Sequence, residues 1–206
     1  KKIIFSSSAG VYGNSSSGNL TEDSELRPIN PYADSKYQIE NFLISKKDKI
    51  DYTILRYFNV AGADKDKRSG LIAKSSTNLI KVLCEVAVNK REKIIINGDG
   101  SAKRRFIHVK DLAKGHLLAL ESKADNQIYN LEGDKDVTIK ELADLVSLNI
   151  QGVKIEYIVD KSRAGELKTD SIEISNQKIK KELGWNIDVS IEDGVKSYID
   201  WFKKNN

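Results

Sequence analysis

The most restrictive feature of the sequence is an alternation of strand and helix patterns over its first 62 residues. Ile3 to Phe5 is a short apolar run that leads into three serines and a glycine-bounded turn. A helix pattern begins behind Pro31, and residues 52–59 form a second β-rich run that ends in a polar residue. In open parallel sheets, ligands bind beyond the carboxyl ends of the strands. The sequence therefore predicts an α/β fold with a site at these strand ends.

Tyr32 and Lys36 form the candidate proton-transfer pair of that site. They are four residues apart, so they share one face of the predicted helix. On that face the Lys36 charge can favour the Tyr32 phenolate, the form in which a tyrosine acts as a base. Such pairs also occur by chance in solvated helices. The interpretation as a catalytic pair is supported by Ser8, which lies at the end of the first strand, where the helix can pack beside it.

Composition sets the class of protein and excludes several functions. The chain has 206 residues, of which 39% are hydrophobic and 31% charged. These values predict a soluble globular protein with one large domain or two small ones, and no apolar run is long enough to span a membrane. The single cysteine, Cys84, excludes an internal disulfide and is typical of the cytoplasm. The net charge of +4 comes from lysines spread along the chain, which argues against a nucleic-acid footprint.

Further patterns predict the elements and the core. The helix over about 32–45 is expected to bury Tyr37, Ile39, Phe42 and Leu43. A second helix over about 77–89 contains Cys84, which is expected to be a small core or boundary residue rather than a nucleophile. Thr138 and Glu141 are spaced as a capping box. The two tryptophans are interpreted as packing anchors.

Four ordered motifs carry a resemblance to a known family. They are Ser6–Gly13, Pro31–Lys36, Arg56–Ala63 and Phe106–Ala113. They resemble the successive motifs of extended short-chain dehydrogenase/reductases, and within that group the chain is most similar to the UDP-glucose 4-epimerases. The similarity runs from Lys2 to about Trp201, which is nearly the whole chain.

The resemblance implies a two-part fold. Residues 1–62 correspond to the C-terminal part of a Rossmann-like doubly wound parallel sheet. Residues 63–206 correspond to a smaller α/β substrate-binding lobe, with about 105–123 packing back on the Rossmann part. The family opens with a strand, a Gly-x-x-Gly-x-x-Gly turn and a helix that hold the dinucleotide pyrophosphate. This sequence contains no such pattern, so we expect a fragment for which a separate N-terminal half is a candidate partner.

The resemblance also implies a reaction, which is NAD-dependent epimerisation of a UDP-hexose at carbon 4 by transient hydride transfer. Tyr32 is the base, Ser8 hydrogen-bonds the same sugar oxygen, and Lys36 holds the nicotinamide ribose. Phe58 borders the nicotinamide. The implied contacts with the UDP-sugar are Asn59, Asn78, Leu79, Ile95, Ile96, Asn97, Arg104, Arg163 and Glu166. The family usually has an acid after the arginine that corresponds to Arg104, whereas this chain has Arg105.

Several alternatives stay open from the sequence. Another nucleotide-sugar epimerase would use the same motifs. A 4,6-dehydratase or decarboxylase carries an acid after the strand-end hydroxyl, and Ser8 is followed here by Ala9. An inactive or split fragment could bind UDP or a partner chain without catalysis. A metal site is not expected, because His108 and His116 have no third ligand at metal spacing. The resemblance also implies a homodimer, because the helix that corresponds to the one with Tyr32 contributes to a dimer-forming bundle in the family.

Overall fold

The computed structural model describes residues 1–13, 19–72, 78–133, 135–159 and 173–205. Its strands, numbered in chain order, are β1 (Lys2–Ser6), β2 (Asp51–Tyr57), β3 (Asn59–Ala61), β4 (Ile94–Asn97), β5 (Lys103–His108), β6 (Gln127–Leu131), β7 (Asp136–Thr138) and β8 (Ile155–Ile158). Its α-helices are α1 (Pro31–Ser45), α2 (Leu79–Ala87), α3 (Val109–Glu121), α4 (Ile139–Asn149), α5 (Gln177–Leu183) and α6 (Ile191–Asn205). The chain is α/β, as the sequence predicts.

Two compact units divide the chain, and each is built from three segments. The first unit contains Lys1–Val60, Asp111–Gly133 and Ile172–Asp188. The second contains Ala61–Lys110, Asp134–Ser171 and Val189–Asn206. This division differs from a boundary at residue 62 because β6 pairs with β2, which brings the later segments of the first unit onto its sheet.

The first unit is built on a parallel sheet in the order β1-β2-β6. Ser6 pairs with Leu55 and Tyr57 pairs with Leu131, so the three strands end at one edge of the sheet. The residues that follow β1 and β2, including Ser8 and Phe58, therefore lie at the edge where ligands bind in parallel sheets.

Helix α1 begins where the sequence predicts. The Asn30 side chain accepts a hydrogen bond from the backbone N–H of Ala33 at 2.8 Å, and Pro31 occupies the first turn. Both features favour a helix start, because the cap satisfies an unpaired N–H and proline presets the backbone angle. Leu43 is buried, but Ile39 is 42% and Phe42 is 57% exposed. The prediction that these two side chains are buried was wrong, because the inward face of α1 is formed by Ala33, Glu40 and Leu43 instead.

The second unit contains the antiparallel pair β5-β7 and the parallel pair β4-β8. Thr138 and Glu141 form the predicted capping box, with both reciprocal hydrogen bonds made at the start of α4. Gly62 has a φ of +90°, and a Cβ there would lie 2.1 Å from Nε2 of His108. Glycine is required at this turn by both its backbone conformation and the close approach of the imidazole.

Both tryptophans and the cysteine are core residues, as predicted. Trp185 is fully buried in the first unit and donates a hydrogen bond from Nε1 to the carbonyl of Asp111 at 2.8 Å. Trp201 is buried in the core of the second unit. Burial raises the pKa of the Cys84 thiol to about 12, which makes it a poor nucleophile.

No helix in the described part of the chain is both long enough and apolar enough to cross a membrane.

Candidate active site

Tyr32 and Lys36 lie on one face of the first turns of α1, in the first unit. The Lys36 ammonium lies 5.7 Å from the centroid of the Tyr32 ring and 5.2 Å from that of Phe5. It also donates a hydrogen bond to the carbonyl oxygen of Ser6 at 2.9 Å. Lys36 is thus held against the end of β1, while the Tyr32 side chain is 60% exposed and open to a ligand.

Ser8 begins the short 3-10 turn Ala9–Tyr12 that follows β1. Its Oγ accepts a hydrogen bond from the backbone N–H of Gly10 at 3.1 Å, so the cap fixes the hydroxyl at the strand end. A Cβ at Gly10 would lie 3.5 Å from Cβ of Ala33, because the turn packs against the first turn of α1. The structure therefore brings Ser8 next to the helix turn that carries Tyr32.

Ser6 is fixed by a histidine on α3. His116 Nδ1 lies 2.9 Å from the carbonyl oxygen of Leu112, and its Nε2 lies 2.9 Å from Oγ of Ser6. A carbonyl oxygen only accepts, so Nδ1 carries the proton and Nε2 accepts the hydrogen bond of the Ser6 hydroxyl. Ser6 thus receives a contact from α3 through its side chain and one from Lys36 through its carbonyl.

Phe58 follows β2 and is half-buried against the cluster that contains Val11 and Tyr12. Asn59, the first residue of β3, is exposed. Ser8, Phe58 and the Tyr32–Lys36 pair are therefore all contributed by the first unit, at or beside the carboxyl edge of its sheet.

The sequence analysis missed a buried ion pair beneath these residues. Glu40 lies on α1, and both of its carboxylate oxygens accept hydrogen bonds from Arg56 of β2. Neither side chain is more than 2% exposed. One sequence signal could have indicated Glu40. It lies four residues after Lys36 and eight after Tyr32, so it shares their face of the helix.

The candidate UDP contacts in the second unit fall on two strands and one helix start. Asn78 caps α2 by accepting a hydrogen bond from the backbone N–H of Lys81 at 3.2 Å, and Leu79 is half-buried against the core. Ile95 is exposed on β4, whereas Ile96 and Asn97 are buried. Because the Ile96 side chain belongs to the core, any contact it makes with a ligand is through its backbone.

Arg104 is half-buried on β5, where it pairs with Val137 of β7. Its Nη1 donates to the carbonyl oxygen of Lys103 at 2.6 Å. The neighbouring Arg105, which stands where an acid was expected, is held by Asp136 at 2.7 Å. Arg163 and Glu166, the two remaining candidates, lie outside the described residues.

Within the described ranges, no group of three His, Cys, Asp or Glu side chains is arranged to hold a metal ion. His108 is buried at the end of β5 and His116 is half-buried on α3, where the sequence predicts them. Each imidazole has other partners, with Nε2 of His108 lying 3.3 Å from Oγ of Ser197.

The donor set of the first unit fits the nicotinamide-ribose end of a dinucleotide. An ammonium has three N–H donors, and Lys36 uses one on Ser6 while lying beside the exposed Tyr32 ring. An amine and a phenol at a strand end are suited to ribose and sugar hydroxyls, because both can donate hydrogen bonds and the phenol can exchange a proton. Phe58 adds an apolar ring at the same edge.

A family model for the NAD dependent epimerase/dehydratase family matches residues 1–131. The chain belongs to this family. The match covers β1, the turn with Ser8, α1 and β2, so it includes every candidate residue of the first unit and the sheet that positions them.

Relatives and a solved structure agree with this assignment. The chain is 37% identical over its whole length to UDP-glucose 4-epimerase 3 of Oryza sativa subsp. japonica, and covers 58% of that protein. It is 34% identical over its whole length to the UDP-glucose 4-epimerase of Halalkalibacterium halodurans, and covers 64% of it. The UDP-glucose 4-epimerase of Bifidobacterium longum, solved in complex with NAD+ and UDP, matches all of the chain with a TM-score of 0.85 and 29% identity, and 64% of that structure is covered. The chain thus spans less than two thirds of each.

Proposed function

We propose that this chain carries the catalytic residues of an NAD-dependent epimerase that inverts carbon 4 of a UDP-hexose, with UDP-glucose and UDP-galactose as the substrate pair. The observation that carries the proposal is the Tyr32–Lys36 pair beside the Ser8 turn, at the carboxyl edge of a parallel sheet. When bound, NAD supplies the reversible two-electron oxidation of the sugar carbon. The remaining chemistry belongs to side chains of this protein.

Tyr32 moves the proton. Its Oη takes the proton of the sugar 4-hydroxyl as carbon 4 is oxidised. After the 4-keto sugar has rotated to present its other face, Oη returns the proton to the same oxygen. Ser8 Oγ donates a hydrogen bond to that oxygen. Lys36 stabilises the negative charge on Tyr32 and binds the nicotinamide ribose, and Phe58 borders the nicotinamide. Because the proton is taken and returned, no second acid or base is required.

The resemblance assigns the UDP part of the substrate to a separate set of residues. A guanidinium makes paired hydrogen bonds to phosphate oxygens, and Arg104 is the described candidate for that role. Asn78 and Asn97 provide amide groups for hydrogen bonds to the UDP part. Their neighbours along the chain, which are Leu79, Ile95 and the backbone of Ile96, are proposed as further contacts. Asn59 of β3 is a further candidate. The resemblance adds Arg163 for the phosphates and Glu166 for the ribose.

Epimerisation is favoured over a 4,6-dehydratase by the residues of the 3-10 turn. Ser8 is followed by Ala9, Gly10 and Val11, so the turn brings no carboxylate next to the strand-end hydroxyl. Elimination across carbons 5 and 6 needs an acid there, whereas inversion at carbon 4 needs only the phenol and the hydroxyl.

The test is complementation of this chain. We expect a fusion of the N-terminal third of the Halalkalibacterium halodurans relative to this chain to retain NAD through purification and to interconvert UDP-galactose and UDP-glucose. NAD is measured by the absorbance released on acid denaturation, and turnover by a coupled UDP-glucose assay. The unfused chain is the control for cofactor retention.

Two outcomes would decide against the proposal. If the fusion binds stoichiometric NAD but converts neither UDP-glucose nor UDP-galactose, the proposed UDP-glucose 4-epimerase activity is excluded. Calorimetric binding of UDP by the unfused chain, combined with a fusion that holds no NAD, would favour the alternative of a nucleotide-binding fragment. In that case Arg104→Ala should weaken UDP binding by at least tenfold.

The outward face of α1 supports a homodimer. Ile39 and Phe42 are three residues apart on one face, and both project into solvent. We propose that a second copy of this chain covers them, since burial of two large apolar side chains stabilises association. Sedimentation should show a dimer that Phe42→Glu converts to a monomer, whereas Lys47→Glu, a change of the same sign in the exposed turn after the helix, should leave the dimer intact. A monomeric parent chain would contradict the proposal.

A further inference from the structure

The helix that carries Tyr32 and Lys36 is fixed to the sheet by a buried carboxylate. Glu40 lies one turn after Lys36 on the same face and is fully buried. Arg56 binds it from β2, with Nη2 2.6 Å from Oε2 and Nε 3.1 Å from Oε1. A two-pronged contact of this kind fixes the angle as well as the distance between its partners. It therefore sets how α1 is rotated against the sheet.

Glu40 also holds the end of β1. Its Oε1 accepts a hydrogen bond from the hydroxyl of Ser7 at 2.5 Å. Ser7 lies between Ser6, whose carbonyl binds Lys36, and Ser8, the candidate hydroxyl of the site. One face of α1 thus contacts two successive residues of the strand end, through Lys36 and Glu40. The position of Ser8 relative to the helix depends on both contacts.

The far side of Arg56 completes the network. Its Nη1 donates to the Tyr12 hydroxyl at 2.9 Å and to the carbonyl oxygen of Glu22 at 3.1 Å. Burial raises the pKa of the Tyr12 phenol, although Arg56 acts in the opposite direction, so Tyr12 keeps its proton and donates it to Oδ1 of Asn130 at 2.8 Å. The arginine is held on three sides and has little freedom to follow Glu40 if α1 moves.

We propose that the Glu40–Arg56 pair is the positioning device of the site and that it sets the separation between the Ser8 hydroxyl and the Tyr32 phenol. Both residues act through others, Glu40 by way of Ser7, and neither needs to touch the substrate. The effect on rate rests on the proposed function, because it presupposes that Ser8 and Tyr32 act on the sugar. The effect on geometry does not.

The first test is Glu40→Gln in the complemented enzyme. The amide would place an NH₂ group or a neutral oxygen against Arg56, so the two-pronged contact is lost. A misplacement of about 1 Å can lower a rate about 10²-fold. We expect kcat to fall by about this factor while KM for the UDP-hexose changes less than about twofold, because the assigned UDP contacts lie elsewhere in the chain.

Glu85→Gln is the matched control. Glu85 is another buried carboxylate on a helix, paired with Lys81 and Arg91 in the second unit. Its loss removes a comparable ion pair but no contact with the strand end. We expect Glu85→Gln to lower the unfolding midpoint and leave kcat unchanged. A fall in kcat equal to that of Glu40→Gln would overturn the positioning role.

A double variant separates positioning from stability. Glu40→Leu with Arg56→Met replaces the pair by apolar side chains of similar size, and such replacements often restore stability. It leaves Ser7 without its acceptor, so we expect the unfolding midpoint to recover towards that of the parent while kcat stays at least tenfold low. Recovery of kcat together with stability would overturn the proposal.

Amide hydrogen exchange on the chain alone gives a readout that needs no activity. In the double variant, peptides covering residues 5–12 and 29–38 should exchange faster than in the parent, while peptides of the second unit do not change. Unchanged exchange in both peptides would overturn the positioning role whatever the kinetics show. If Tyr32→Phe leaves turnover intact, the proposed function fails, and the exchange result still decides whether the pair orients the strand end.

Discussion

Replacing Tyr32 with phenylalanine is expected to lower epimerase turnover in the complemented protein by about 10³-fold, because a positioned general base contributes about 10²–10⁴ to the rate. The phenol is exposed and lies on the outer surface of the first helical turn. Removing its oxygen therefore leaves folding intact and removes only the proton acceptor. The measurement is kcat for UDP-galactose, with UDP binding by calorimetry as the companion.

Tyr37→Phe is the matched control for this prediction. Tyr37 lies on the same helix but packs, half-buried, on the cluster that contains Val11 and Tyr12. This substitution removes the same hydroxyl oxygen from a side chain that has no assigned role. We expect Tyr37→Phe to keep more than half of the parent turnover and both variants to bind UDP as the parent does. Equal turnover in the two variants would show that Tyr32 is not the base of the reaction.

The first unit shows which parts of a site can be predicted from sequence. The strand β1 follows from an apolar run that ends in serines, and α1 follows from Pro31, which presets its first turn. The four-residue spacing of Tyr32 and Lys36 then fixes their shared face, and their observed proximity follows from it. These features depend on neighbours in the chain, so local patterns encode them.

Glu40 shows what local patterns could not encode. A charged residue within a helix is ordinarily assigned to the solvent face, and hydrophobic periodicity instead placed Ile39 and Phe42 inside. The burial of Glu40 depends on Arg56, which is 16 residues away on another element. The three-segment composition of each unit has the same origin, since the pairing of β6 with β2 joins residues more than 70 positions apart.

The same ion pair gives the largest expected effect on stability. Arg56→Met should lower the free energy of unfolding of the first unit by about 3–5 kcal/mol, because it leaves the Glu40 carboxylate buried without its cation. Trp185 lies in the first unit and Trp201 in the second, and the sequence has no other tryptophan. In a Trp201→Phe background, urea unfolding followed by fluorescence therefore reports on the first unit alone.

Arg27→Met is the matched control for this prediction. Arg27 lies in the same unit and its Nη2 donates to the carboxylate of Glu25 at 2.7 Å, but both side chains are exposed, by 74% and 69%. Water solvates both charges when such a pair is broken, so its loss should leave the unfolding midpoint unchanged. Equal midpoints for Arg56→Met and Arg27→Met would mean that burial adds nothing to the Glu40–Arg56 contact, and α1 would then be held to the sheet by packing alone. A drop confined to Arg56→Met would establish that Glu40 is buried as a carboxylate that needs its cation, on the helix that carries Tyr32 and Lys36.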